Sequence, residues 1–324
     1  METLIIGAGA MGGLFATLLA PLVSTSLFTT NAEHAEAINL AGLSLTGLDG
    51  RVRRTPARAL TDPRQFGRCA DLVILCTKAR STGHASKVAR QLLAGDGLVL
   101  TLQNGLGNLE HIQAAVGVSR AAAGITAQAA TLLGPGQVRH AGSGPTVLAA
   151  GPGQAEKIAA IAALFNQAGI PTTVTTDGEA LLWSKLIINV GINALTALLR
   201  VPNGTLARIP ECESIMAQAV AEAVAVARTM GIALPDAEPL ERVRQVCEAT
   251  SSNQSSMLQD ILKGRPTEIE VINGAIVLKG AEYGVPTPVN QLLTQLVKAL
   301  EATSAHRISP LPHENPAKET SAPG

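Results

Sequence analysis

Continuous apolar runs that end in polar or glycine-rich residues recur through the first half of the chain, whereas apolar positions at helical spacing fill the second half. Residues 3–6, TLII, read as a short buried strand, and GAGAMGGLFATLLA after it as a tight turn entering a helix that Pro21 closes. TSLFTT (25–30) predicts a second strand, followed by a helix around 33–41. DLVILCTKA (71–79) is an apolar run ending in polar residues, the pattern of a parallel strand buried on both faces. GLVLTLQNGLGN (97–108) repeats the scheme of strand, Gly/Asn-rich turn and helix. Strands alternating with helices predict a doubly wound parallel sheet. Residues 134–153 are turn-rich with short β-type pieces and predict an antiparallel extension of that sheet, and a helix (154–168) and a last strand (170–176) finish the unit. From about residue 178 the patterns are helical: 179–199, 211–231, a stretch near 267–283, and 288–303. The expectation is an α/β unit over 1–176 and an all-α unit over 177–303. Residues 304–324 are Pro-rich without an apolar face and predict a disordered tail.

One helical segment breaks its own pattern. In WSKLIINVGINALT (183–196), Lys185, Asn189 and Asn193 recur at intervals of four among Leu, Ile and Val. At about 100° per residue each step drifts only about 40°, so the three side chains share one stripe. Unpaired polar groups buried there would cost several kcal/mol. The stripe therefore faces solvent, satisfies neighbouring backbone, or lines a cleft in which a small polar ligand completes its hydrogen bonds. In the last case a partly desolvated lysine is suited to donate a proton.

Composition narrows the function. Hydrophobic residues make up 46% of the 324 positions, charged residues 15%, and the formal net charge is zero, which argues against a nucleic-acid binder. Aromatics are 2%, too few for base-stacking platforms. Cys69, Cys76, Cys212 and Cys247 have no metal-ligand spacing and read as reduced thiols, and the histidines show no zinc spacing, so no metal is expected. No signal peptide and no membrane span are expected, which makes the protein a cytoplasmic one.

Gly7-Ala8-Gly9-Ala10-Met11-Gly12 is a GxGxxG that follows a strand and opens a helix, the context that gives the motif its meaning. Gly7 permits the turn, Gly9 lets backbone approach a pyrophosphate, and Gly12 allows close helix–strand packing, as in a Rossmann-type nucleotide unit. The residue that selects between NAD and NADP should end the second strand, where TTNAEH places Asn31. No carboxylate stands there to chelate a ribose diol and no arginine to hold a 2′-phosphate; the absent acid leans toward NADP. Lys78 and Asn104 stand past the carboxyl ends of two strands, where open α/β sheets bind ligands, although a solvated lysine and an Asn-Gly turn look the same in sequence. Asn253, Ser256 and Glu268 offer polar groups near helix starts, and a carboxylate at such a position also suits the helix dipole.

These pieces resemble the ketopantoate reductase (2-dehydropantoate 2-reductase) family. GAGAMGG, CTKA, QNGLGN, WSKLIINVGINALTAL, VPNG, SSMLQDI and TEIEVINGAIV occur in the family's order and span roughly 1–300. The resemblance implies an N-terminal Rossmann domain, a helical C-terminal domain and a site in the cleft between them. It implies Lys185 as general acid, and Asn189, Asn193, Asn203, Asn253 and Ser256 around a 2-oxo acid. Lys78, Asn104, Glu268 and the backbone near Ala129 would meet the nicotinamide-ribose end of the cofactor or organise the closed cleft. Asn31 departs from the family, which usually carries an arginine there. The implied reaction is NADPH-dependent reduction of 2-dehydropantoate to (R)-pantoate. The alternatives are an NAD(H)-linked D-2-hydroxyacid dehydrogenase acting on another branched or aromatic 2-oxo acid, and a non-catalytic NAD(P) sensor. The expected partner is a small 2-oxo acid, with a homodimer as a candidate assembly and neither nucleic acid nor membrane.

Overall fold

The chain was analysed as a computed structural model that describes residues 1–67 and 69–306. It runs β1 (Glu2–Ile6), α1 (Ala10–Leu19), β2 (Ser24–Phe28), α2 (Ala32–Ala41), β3 (Leu43–Thr46), β4 (Val52–Thr55), β5 (Arg58–Leu60) and β6 (Ala70–Leu75). Then come α3 (Thr82–Leu92), β7 (Leu93–Thr101), α4 (Asn108–Val116), β8 (Ala121–Thr126), β9 (Ala129–Gly134), β10 (Gln137–Gly142), β11 (Thr146–Ala149), α5 (Ala155–Gln167) and β12 (Thr172–Thr175). The rest is helical: α6 (Gly178–Leu199), α7 (Pro210–Thr229), α8 (Pro239–Ala249), α9 (Ser256–Leu262), α10 (Asn273–Tyr283) and α11 (Pro288–Ala302).

The large sheet has the order β12-β11-β8-β7-β6-β1-β2-β5, parallel throughout except for the β11–β8 pair. Its central strands bury both faces, as their continuous apolar runs require. Leu4, Ile6, Val73 and Leu75 pack with Val88 and Ala89 of α3 and Ile112 of α4, while Ile5 and Ile74 point the other way, toward Phe15 of α1 and Phe165 of α5. Phe15 and Phe165 stack with ring centroids 5.8 Å apart. The strand order reverses between β1 and β6, and a crevice opens outside the carboxyl ends of such a pair.

The expected antiparallel extension over 134–153 holds for β11, which pairs antiparallel with β8, and is corrected for the rest. β11 alone of that stretch joins the large sheet; β10 pairs with β9 and β3 in a separate four-stranded sheet, ordered β4-β3-β10-β9. The cause lies in α1, which is apolar on two sides. Phe15 faces the large sheet, while Leu14 packs on Leu45 and Val138 of the small one. A Cβ at Gly13 would come within 2.7 Å of Val138, so its absence lets the small sheet press against the helix. Strands β3–β5 are three or four residues each, too short to show a period in sequence.

In the helical region α6 is the central rod. Leu186, Val190 and Leu195 pack with Met216 and Val220 of α7, Val243 of α8 and Val297 of α11. A Cβ at Gly191 would lie 2.9 Å from Val243 and 3.0 Å from Val220, so glycine brings three helices together there. By length and composition α6 could cross a membrane, but 61% of its apolar window is buried inside the protein, and it is a core helix. The helix expected near 267–283 is split: Ile269–Val271 forms a 3-10 turn, and α10 begins at Asn273. Ser304–His306 forms a 3-10 turn where a tail was expected, and the rest of that expectation, 307–324, lies outside the described residues. All four cysteines are free.

Candidate active site

The glycine loop joins β1 to α1 at the crevice. Gly7 adopts φ +103°, and a Cβ on it would come 2.7 Å from the Thr77 backbone nitrogen. A Cβ on Gly12 would stand 1.9 Å from the Gly7 carbonyl oxygen, so the helix seats on the turn only without one. Gly9 differs: nothing lies within 4 Å of where its Cβ would be. Gly9 also caps α1 with no side-chain hydrogen bond, and the first turn, which includes Ala10 and Met11, holds no acidic residue. Its free N–H groups and open surface suit an anion, so the loop fits the phosphates of a dinucleotide.

Buried His34 fixes this loop from behind, a role that sequence reasoning missed. Gly136 N–H donates to Nδ1 at 3.2 Å, so Nε2 carries the proton and donates to the Ala8 carbonyl at 2.6 Å. Asn31, three residues past the end of β2, is the N-cap of α2, and its side chain accepts from His34 N–H at 2.9 Å.

A cavity of about 340 Å³ occupies the crevice between α1, the carboxyl ends of β6 and β7, β9 and α9. Lys78 reaches across it to the helical region, with Nζ 2.7 Å from Asp260 Oδ2 and 3.7 Å from Glu268 Oε2. Glu268 does not cap its own 3-10 turn. Its carboxylate instead accepts from Ala79 N–H at 3.3 Å, so the dipole explanation gives way to a cross-cleft one. The loop that carries Asn104 is fixed on both sides. Gln103 Nε2 donates to Thr77 O at 2.7 Å, and Leu106 N–H donates to Val271 O at 3.0 Å. The Asn104 carbonyl accepts from Asn108 Nδ2 at 2.9 Å.

Beside this cavity runs the polar stripe of α6. Lys185 is partly buried, and its Nζ donates to Thr126 O at the end of β8, 3.0 Å away. Burial pulls its pKa down from the usual lysine range to about 8, against the negative charge of Glu268, which pulls upward. Asn189 Nδ2 is buried with no hydrogen-bond partner among the described residues, and Asn193 is 6% exposed. Asn203 is held by its backbone N–H to Asn253 O at 3.0 Å and by Nδ2 to Thr250 Oγ1 at 2.9 Å, yet its buried Oδ1 has no partner among the described residues. Two adjacent serines divide their tasks. Ser255 is buried and caps α9 by accepting from Leu258 N–H at 3.0 Å, whereas Ser256 is exposed toward the cavity.

Comparison with known proteins decides the family. The family described as Ketopantoate reductase PanE/ApbA matches residues 3–153, and Ketopantoate reductase PanE/ApbA C terminal matches residues 177–301. The 2-dehydropantoate 2-reductase of Halobacterium salinarum is 37% identical over 300 residues, 92% of this chain and 98% of the relative. That of Pyrococcus horikoshii is 38% identical over 303 residues, 93% of this chain and 98% of the relative. The chain belongs to the ketopantoate reductase family. Among solved structures, the ketopantoate reductase of Ralstonia eutropha aligns with TM-score 0.85 at 34% identity, covering 94% of this chain and 100% of that one. D-mandelate dehydrogenase with NADH and anilino(oxo)acetate aligns with TM-score 0.88 at 30% identity, covering 94% and 99%. This is a family of oxidoreductases, and the N-terminal mostly parallel α/β domain followed by an all-helical region agrees with its solved members.

Of the residues that the sequence singled out, Ala10, Met11, Lys78, Asn104, Ala129, Ser256 and Glu268 line the one cavity. Lys185 is not on that wall; it reaches Thr126, two residues before the wall residue Gln128, and feels the charge of Glu268. Gly7, Ala8, Gly9 and Gly12 shape the loop below it, and Asn31, Asn189, Asn193, Asn203 and Asn253 are not on the cavity wall. Sequence reasoning missed Asp260, Gln103 and Thr126. Asp260 sits inside the chain's own SSMLQDI segment, but only the fold brings it to Lys78, 182 residues away.

Proposed function

We propose that this chain reduces 2-dehydropantoate to (R)-pantoate with NADPH as reductant, the units 1–176 and 177–303 forming the two lobes of the site. A reduced nicotinamide dinucleotide held by its diphosphate on the glycine loop would supply the hydride for C2 of the oxo acid. Gly7, Ala8, Gly9, Ala10, Met11 and Gly12 hold the diphosphate, while Lys78, Asn104, Ala129 and Glu268 lie along the nicotinamide-ribose end. Asn189, Asn193, Asn203, Asn253 and Ser256 orient the 2-oxo acid. As the C2–O π bond opens, the Lys185 ammonium stabilises the developing alkoxide and gives it a proton, and solvent reprotonates the amine. Domain closure drains bulk water from around these groups.

The observation that carries this reading is the Lys185 ammonium, held by one carbonyl at 3.0 Å with its pKa lowered to about 8. A group so placed is readier to release its proton than an ordinary lysine. The 2-dehydropantoate 2-reductases at 37% and 38% identity support the choice of oxo acid.

Asn31 favours a second reading, an NADH-linked D-2-hydroxyacid dehydrogenase acting on a branched or aromatic oxo acid. Its amide caps α2 and offers no cation to a 2′-phosphate. The similarity to a D-mandelate dehydrogenase carrying NADH supports it further. One assay separates the readings: oxidation of NADPH and of NADH, each against ketopantoate, phenylglyoxylate and branched 2-oxo acids. The first reading expects ketopantoate with NADPH to give the highest kcat/KM. A large preference for another oxo acid or for NADH supports the second, and consumption of neither cofactor leaves a sensor.

A further inference from the structure

Two cations on the helical wall of the cavity have no role in the reaction described above. Lys263 and Arg265 follow α9, where both backbone N–H groups donate to the Asp260 carbonyl, at 3.2 and 2.8 Å. Both side chains line the cavity, both residues are exposed, and neither side chain has an ion pair or a hydrogen bond among the described residues. Lys78, which enters the cavity from the sheet side, is in the opposite condition, with Asp260 at 2.7 Å and Glu268 at 3.7 Å. The two carboxylates of the cavity are thus engaged by Lys78, and the charge left over is that of Lys263 and Arg265.

On the sheet side the same cavity is lined by Ala10 and Met11 of α1, next to the open surface over Gly9. A group between these walls would meet backbone N–H donors from one side and two unneutralised cations from the other. Such a gap suits a doubly charged anion better than the single carboxylate of an oxo acid. We propose that Lys263 and Arg265 are cofactor-binding residues that grip the diphosphate of the nicotinamide dinucleotide from the helical side, opposite the glycine loop. The inference rests on the reductase reading of the same cleft.

The test measures binding without turnover. Dissociation constants for NADPH, NADH and ADP-ribose are determined by calorimetry for the wild type, Lys263→Gln, Arg265→Gln and the double variant, at two salt concentrations. Each single variant should weaken all three ligands by about three- to tenfold, as expected of partly exposed charge pairs, and the double variant more. The affinity of the variants should also fall less steeply with salt. Melting temperatures should not move, because neither side chain contacts the core. Unchanged ADP-ribose affinity in the double variant overturns the inference. A wild type that binds none of the three ligands removes the reductase reading and this inference with it, an outcome distinct from tight but variant-insensitive binding.

Discussion

An ammonium taken out of water loses more hydration than a single carbonyl restores, and Lys185 carries that loss. Its folded pKa of about 8 lies below the ordinary 10.5. Between those values the unfolded chain holds a proton that the folded one has released, so Lys185 makes stability rise with pH across that window and exacts its full cost below it. Lys185→Met should therefore raise stability at pH 7 by about 1–2 kcal/mol, read by chemical denaturation, while removing turnover. As the acid, Lys185 must be charged, so kcat should fall about tenfold per unit as pH rises beyond about 8; a flat profile to pH 10 would contradict that role. Asn189 gives a second contrast. Its Nδ2 is buried and unpartnered, so Asn189→Leu should leave the melting temperature unchanged or higher and raise KM for the oxo acid about tenfold. The i, i+4 spacing of Lys185, Asn189 and Asn193 made this stripe legible in sequence. Its partners were not, because Thr126 contributes a backbone carbonyl, which any residue type would provide.

At the scale of elements, three glycines of one motif do different work. Gly12→Ala would drive a Cβ to 1.9 Å from the Gly7 carbonyl and must shift α1 or the turn, so it should destabilise the fold by several kcal/mol. Gly9→Ala meets nothing within 4 Å, so it should melt like the wild type but bind NADPH at least tenfold more weakly in a titration. Normal cofactor affinity in Gly9→Ala would mean that the open surface is not where the diphosphate sits. The motif and the strand–helix alternation were readable because parallel strands buried on both faces leave long apolar runs. The small sheet was not, since β3 and β4 are only four residues each and all four strands are brought together by packing on a second face of α1. Asn31 shows the same limit, because α2 recruits it as a cap through a contact three residues away.

The whole molecule is a nucleotide sheet and a helical region held across one cleft. Lys78 with Asp260 and Glu268 spans it, and Val271 receives the Leu106 N–H from the far loop. These contacts join positions more than 160 residues apart, which is why no local pattern announces them. Asp260→Asn would leave Lys78 with Glu268 alone at 3.7 Å. It should raise KM for the cofactor severalfold with a smaller effect on the melting temperature, as expected of a pair that organises the cleft more than the core. The central claim is that the two regions meet so that Lys185 can protonate a reduced 2-oxo acid. Single-turnover oxidation of bound NADPH by ketopantoate, in the wild type and in Lys185→Ala, tests it most directly. Cofactor affinity should be equal in both proteins and the rate at least a thousandfold lower, on the order of 4 kcal/mol, in the variant; a rate within a few-fold of the wild type would contradict that role.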